Sequence, residues 1–239
     1  MMRSLFITGT DTGVGKTTIS ACLAAFLSIK KKLNVGVMKP FESGLSKRNK
    51  DQLPWDAICL KEASGSPDDL NMISPYTFEA PLAPEVAASL ENIQIDLSML
   101  DRIYKKMVNE HDITIIEGAG GVLVPIKRKF FYGDLIKKWA CPTIIVSRLG
   151  LGTINHTLLT VGYLRTRGIK IVGVILNNND GTGDLAAKTN PEILSAYLNC
   201  PILGIFPYKK NLLKEGMNRQ HLSRVFAKHI DVETLLRDL

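Results

Sequence analysis

The chain has 239 residues, enough to bury one large core, and nothing in its patterning forces a second domain, so residues 1–239 read as one unit. Hydrophobic residues make up 45% and charged residues 22%, an ordinary globular balance, and no apolar run nears the roughly 18 to 20 residues needed to span a bilayer. The formal charge of +7 is dispersed over short clusters such as Lys30–Lys32 and Lys127–Lys129 without interleaved aromatics; it reads as solvated surface suited to an anionic small substrate, not to a nucleic acid or a membrane.

The opening MMRSLFITG passes from one arginine into a short apolar run ending at glycine. That is too short for a secretory leader, so a strand and a cytoplasmic protein are expected. Further strands are predicted at 34–39 (NVGVMK), 113–117 (ITIIE), 142–147 (PTIIVS), 170–176 (KIVGVIL) and 201–206 (PILGIF), several apolar throughout, as strands covered on both faces are. Helical patterns fall between them at Lys16–Lys31, Asp96–Asn109, Gly133–Trp139, Ile154–Arg167 and Pro191–Leu198, and a terminal amphipathic helix at Leu222–Leu239. The alternation implies an α/β fold of three layers, a mostly parallel sheet flanked by helices. Ligands of such sheets bind at the carboxyl ends of the strands. Residues 40–95 are irregular and rich in Pro, Gly and Ser, which marks a functional segment. The four cysteines, Cys22, Cys59, Cys141 and Cys200, are far apart and read as buried free thiols, not as a zinc site.

The first strand leads into GTDTGVGKT (residues 9–17), a phosphate-loop pattern of P-loop NTPase type whose spacing is one residue longer than usual. Backbone N–H groups at the start of the following helix face an anion there, Lys16 bridges phosphates, and the Thr17 hydroxyl suits Mg²⁺. The ITIIEGAGG strand offers Glu117 beside that loop, as a metal or water ligand or as a simple strand end. Asn177-Asn178 fits the edge of a base or a plain turn equally well. A partitioning ATPase carries a lysine as the second residue of this loop; registered from Thr10 to Thr17, that position here is Asp11. No Asn-Lys-x-Asp guanine motif occurs.

With GTDTGVGKT, VMKPFESG, EGAGG and GTINHTLLT in the same order, and SPYTFEAPLAPEVA between them, residues 3–209 resemble the dethiobiotin synthetase family. The resemblance implies an ATP- and Mg²⁺-dependent cyclo-ligase that joins CO₂ or bicarbonate to diaminopelargonate through a carbamate and a carbamic-phosphoric anhydride. It implies that Gly13, Val14, Gly15, Lys16, Thr17 and Thr18 wrap the ATP phosphates. Lys39 becomes a second catalytic lysine beside Lys16, although alone it would read as an ordinary surface lysine. Thr12 and Ser43 become substrate contacts. Thr17, Asp56 and Glu117 become the metal ligands, with Gly118, Ala119 and Gly120 along the phosphates. Asn177, Asn178, Pro207, Tyr208 and Lys209 form the adenine end. Gly152, Thr153 and Asn155 line the diamine site from the partner of a homodimer. Some relatives pair Asn with Asp where this chain has Asn177-Asn178, which favours Asn177 over Asn178 as the adenine reader; some carry an acidic residue where Gly13 stands, and that side-chain role is not inherited.

Overall fold

The computed structural model describes residues 4–48, 51–181, 183–214 and 216–237. All six predicted strands form: β1 (Ser4–Gly9), β2 (Val35–Met38), β3 (Ile113–Gly121), β4 (Thr143–Arg148), β5 (Ile171–Asn177) and β6 (Ile202–Phe206). They join in one parallel sheet of order β6-β5-β4-β1-β3-β2. The chain therefore starts in the middle, builds one half, then crosses β1 to build the other. The crevice for a ligand opens at the carboxyl ends beside β1.

Ten helices are described: α1 (Lys16–Lys30), α2 (Trp55–Ser64), α3 (Leu70–Ile73), α4 (Pro84–Leu90), α5 (Leu97–Glu110), α6 (Tyr132–Trp139), α7 (Thr153–Thr166), α8 (Leu185–Tyr197), α9 (Arg219–His229) and α10 (Val232–Arg237). Successive strand residues face opposite sides, and both sides are covered. Leu5, Ile7, Ile144 and Val146 pack with α1, α2 and α9, whereas Phe6, Ile116 and Ile145 pack with α6, α7 and α8. This is the expected three-layer arrangement. Helix α1 is buried continuously from Ile19 to Leu27, because Ala21, Ala24 and Ala25 let the sheet, α2 and α9 approach it from several sides. Truncating Leu23 to Ala there should cost about 2–5 kcal/mol.

Three elements differ from the sequence reading by more than one residue. Strand β3 does not end at Glu117 but continues to Gly121, with Ile7 opposite Glu117 and Gly9 opposite Gly121, so the backbone of 118–120 bulges toward the ligand end. Helix α8 starts at Leu185, where the Asp184 carboxylate accepts the Ala187 N–H at 2.7 Å; Pro191, read as a helix start, lies inside it. The tail is two helices, not one. The Asn218 side chain caps α9, and the backbone then turns so that Asp231 N–H donates to Leu203 O at 2.6 Å beside β6. The last two residues of the predicted tail helix lie outside the described residues, as do residues 1–3. Within 40–95, α2, α3 and α4 form, with a parallel pair of short strands, Phe41–Ser43 and Tyr76–Phe78. Cys22, Cys59 and Cys141 are buried free thiols, and Cys200 is half-buried. No helix among the described residues is long and apolar enough to cross a membrane.

Candidate active site

The loop after β1 owes its shape to two glycines in the left-handed region, Gly13 at φ 75° and Gly15 at φ 92°. At Gly15 a side chain is excluded twice over, since a Cβ would lie 2.1 Å from Asn177 Nδ2. Asn177 itself is buried at the end of β5 and donates its amide to Val14 O at 2.8 Å, and Asn179 donates to Gly13 O at 2.9 Å. The loop is thus pinned from the β5 side. Gly15 is the N-cap of α1 and offers no side chain to the first-turn N–H groups. Those unpaired donors and the positive end of the helix dipole form an anion site.

Lys16 is buried, and its ammonium turns back to donate to Asp11 O at 2.9 Å. Burial, then the nearby charge of Lys39, lowers its pKa to about 8, against the smaller pull of Glu117 and Asp56. Lys39 follows β2 directly and is also buried. Its Nζ lies 2.6 Å from Glu117 Oε1 and 2.8 Å from Asp56 Oδ2. Burial opposes the charge on Lys39, but the two carboxylates outweigh it and hold its pKa above the ordinary lysine value. Burial likewise pushes Asp56 up, yet Lys39, Thr17 and Lys16 bring it below the usual carboxylate range.

Glu117 is fully buried on β3 and accepts from the Thr17 hydroxyl at 2.8 Å through the same Oε1. Its other oxygen, Oε2, is buried without a hydrogen-bond partner. An orphaned carboxylate oxygen beside a hydroxyl and a second carboxylate is a donor set suited to a hard cation. Among the described residues no group of three or more His, Cys, Asp or Glu could hold a metal alone. One or two carboxylates plus phosphates are the usual surroundings of Mg²⁺, so Thr17, Asp56 and Glu117 fit a magnesium–nucleotide complex.

These groups open on a cavity of about 650 Å³. Of the predicted residues, Thr12, Gly13, Gly15, Lys16, Thr17, Thr18, Lys39, Ser43, Asp56, Glu117, Ala119 and Gly120 line it. Val14 is buried beneath the loop, and Gly118 offers its carbonyl to Lys39 at 3.4 Å. Asn177, Asn178 and Pro207–Lys209 lie outside the lining, at the ends of β5 and β6. There Asn178 N–H donates to Phe206 O at 2.9 Å, and the exposed Tyr208 ring sits against Gly181. Gly152, Thr153 and Asn155 are not brought to the cavity. Thr153 is buried and its hydroxyl donates to Arg148 O at 2.5 Å, while Asn155 is exposed on the first turn of α7. A second cavity of about 430 Å³ runs from Thr10–Thr12 past Gly121–Pro125 to His156, Leu159 and Tyr163 of α7.

The lining also includes Glu42, Trp55, Pro81–Pro84 and Leu213. Pro81–Pro84 belong to the segment SPYTFEAPLAPEVA that shares in the resemblance. Glu42 was missed, although it stands between Lys39 and Ser43; the signal was a carboxylate next to a predicted substrate contact. Burial and then the charge of Asp56 push its pKa up to about 7, against Lys39 and two backbone N–H groups.

A family model described as an AAA domain matches residues 3–216. An ATP-dependent dethiobiotin synthetase BioD of Thermodesulfovibrio yellowstonii is 39% identical, over 99% of this chain and 99% of its own. Proteins of the same name from Bacillus velezensis (40%; 98% and 97% covered) and Bacillus subtilis strain 168 (42%; 90% and 91% covered) are equally similar. Among solved structures, the cell division ATPase MinD of Pyrococcus furiosus matches with a TM-score of 0.58 and 16% identity over the full length of both chains. The septum site-determining protein MinD of Pyrococcus horikoshii, complexed with Mg-ADP, gives 0.57 at 16% identity, over 98% and 95%. These two likenesses show the fold alone, a parallel sheet flanked by helices. Identity sustained end to end with curated relatives shows more: the chain belongs to the family of ATP-dependent dethiobiotin synthetases.

Proposed function

We propose that the whole chain, as a single domain, performs the reaction for which its relatives are named. ATP drives closure of 7,8-diaminononanoate (diaminopelargonate) and CO₂ to dethiobiotin, ADP and phosphate, in the synthesis of biotin. The observation that carries this reading is Lys39, buried between Glu117 and Asp56 in the cavity that also holds Lys16, Thr12 and Ser43.

The chemistry needs one poor leaving group made good. One amine adds to CO₂, forming a C–N bond and losing a proton, to give a carbamate. A carbamate oxygen attacks the γ-phosphorus of ATP, and ADP leaves. The second amine then attacks the carbonyl carbon, phosphate leaves with its oxygen, and the ring closes with loss of a second proton. No covalent bond to the protein is required, so positioning and charge stabilisation are its contribution.

The residues divide that work. The N–H groups at the start of α1 and the ammonium of Lys16, released from Asp11 O, receive the phosphates. The ammonium of Lys39 faces the carbamate and the transferring phosphoryl oxygens, and its carboxylate partners keep it charged. Thr17, Asp56 and Glu117 hold Mg²⁺, which when bound neutralises phosphate charge. Thr12 and Ser43 orient the diamine. Asn177, braced against the loop, faces the adenine with Asn178 and Pro207–Lys209. Gly152, Asn155 and, through its backbone, Thr153 act from a second copy of the chain in a homodimer. In support, Leu123 and Leu159 line the second cavity and are 58% and 64% exposed, and Leu151, just before α7, is 81% exposed, apolar side chains that a second copy would cover.

A test is the dependence of phosphate release on substrates. The ligase reading expects ATP turnover to require both the diamine and bicarbonate. Full turnover without either, governed instead by a protein partner, would favour a partitioning type of ATPase, whose fold this chain shares.

A further inference from the structure

One ionisable group in the cavity has no part in the mechanism above. Glu42 lies on the short strand Phe41–Ser43 and is 6% exposed. Both of its oxygens are engaged: Oε1 accepts the Asp56 N–H at 2.7 Å and Oε2 accepts the Ala57 N–H at 3.0 Å. These are first-turn donors of α2, whose own N-cap residue, Pro54, supplies no side-chain cap. A carboxylate placed there satisfies two orphan donors and complements the positive end of the helix dipole.

The other end of α2 is held in the matching way. Arg219, from α9, donates to Ala63 O at 3.0 Å and Ser64 O at 2.6 Å, the last carbonyls of the helix. An anion and a cation from separate parts of the chain therefore fix α2 along its axis. Helix α2 carries Trp55 and Asp56 into the cavity, and one of the two N–H groups that Glu42 grips is that of Asp56 itself. A cap supplied by residue 54 would leave α2 independent of the strand that bears Ser43; Glu42 ties the two together.

We propose that Glu42 is a positioning residue: by holding the Asp56 and Ala57 amides it sets the approach of the Asp56 carboxylate to Lys39 and to the magnesium–nucleotide complex. This rests on the reading of Asp56 as a metal-side ligand. Residues that orient metal ligands typically matter by about 10- to 100-fold in metal affinity. A carboxylate is required because its two oxygens span adjacent N–H groups. An amide supplies one acceptor and turns its NH₂ against the other N–H.

The test compares Glu42→Gln with Arg219→Met, at the remote end of the same helix, and with Asp56→Asn. Mn²⁺ binding is titrated by electron paramagnetic resonance in the presence of ADP, without turnover. Amide hydrogen exchange at Asp56 and Ala57 is followed in the ligand-free protein, and thermal unfolding is recorded for each variant. Glu42→Gln should weaken Mn²⁺ binding by about tenfold and deprotect both amides. Arg219→Met should lower the melting temperature yet bind Mn²⁺ as the wild type does. Wild-type Mn²⁺ binding in Glu42→Gln, with weakened binding in Asp56→Asn, overturns the inference alone. Equal loss of Mn²⁺ affinity in the Glu42 and Arg219 variants overturns it in favour of general loosening of α2. Wild-type binding in Asp56→Asn overturns the metal reading and the inference together. Should Glu42→Gln not fold, Glu42→Ala, which lets water reach the two amides, takes its place under the same criteria.

Discussion

Lys16 and Lys39 enter one cavity from opposite electrostatic settings, so replacing each by methionine should move stability in opposite directions. Lys39→Met strands Glu117, which is fully buried, and weakens the hold on Asp56. Breaking one side of a buried pair costs about 3–5 kcal/mol. At about 2–4 °C per kcal/mol for a chain of this size, the melting temperature should fall by roughly 6–20 °C. Lys16 has a carbonyl oxygen as its hydrogen-bond partner and carries its charge at a pKa of about 8, against an ordinary 10.5. That gap is about 3 kcal/mol of strain on the charged form at neutral pH. Losing the bond to Asp11 O gives back about 1–3 kcal/mol, so Lys16→Met should leave stability level or raise it by a few degrees. Both variants should lose roughly 10²- to 10³-fold or more in turnover. Thermal unfolding at pH 7 without nucleotide reads the difference. A melting temperature unchanged in Lys39→Met, or lowered as much in Lys16→Met, would refute the electrostatic assignment.

Three further outcomes follow from the same geometry. The folded pKa of Lys16 lies below its unfolded value, so deprotonation favours the fold between about pH 8 and 10.5, and that gain is lost as pH falls through about 8. Phosphates reverse the bias: ADP binding near pH 8.5 (about half a unit above that pKa) should take up protons, seen by calorimetry in buffers of different ionisation enthalpy, and the Kd should rise with pH. Zero uptake would contradict it. Gly15→Ala drives a Cβ into Asn177 at a left-handed position and should abolish nucleotide binding while the sheet persists by circular dichroism; nucleotide binding at wild-type strength would count against the bracing of the loop by Asn177. Leu159→Glu places a charge on the exposed face of α7 and should convert a dimer to monomer in sedimentation, with loss of turnover but an intact ADP site; a dimer unaffected by it would remove that face from the interface.

What could be read from the sequence was what is local. The six strands were visible because apolar, β-branched runs buried on both faces leave no other reading, and Gly13–Thr18 were visible because strand, glycines, Lys16 and Thr17 are contiguous. Glu117 was visible at the end of an apolar strand beside the loop, whereas Lys39 needed the resemblance, since its pairing with Glu117 spans 78 positions. Glu42 stayed hidden for a stronger reason. Its role depends on where α2 arrives, and α2 sits in a segment whose Pro, Gly and Ser suggested loop. Pro191 misled because proline usually opens a helix, whereas Asp184 supplies the cap here. Gly152, Thr153 and Asn155 lie away from the cavity of their own chain, because the site they are proposed to complete belongs to a second copy.

The most direct measurement is mass analysis of the product after incubating the protein with ATP, Mg²⁺, carbon-13 bicarbonate and diaminopelargonate. The account expects a cyclic urea that has gained one labelled carbon and one oxygen and lost two hydrogens, with ADP and phosphate formed in equal amount. Nucleotide bound and the diamine recovered unchanged under saturating ATP would contradict it.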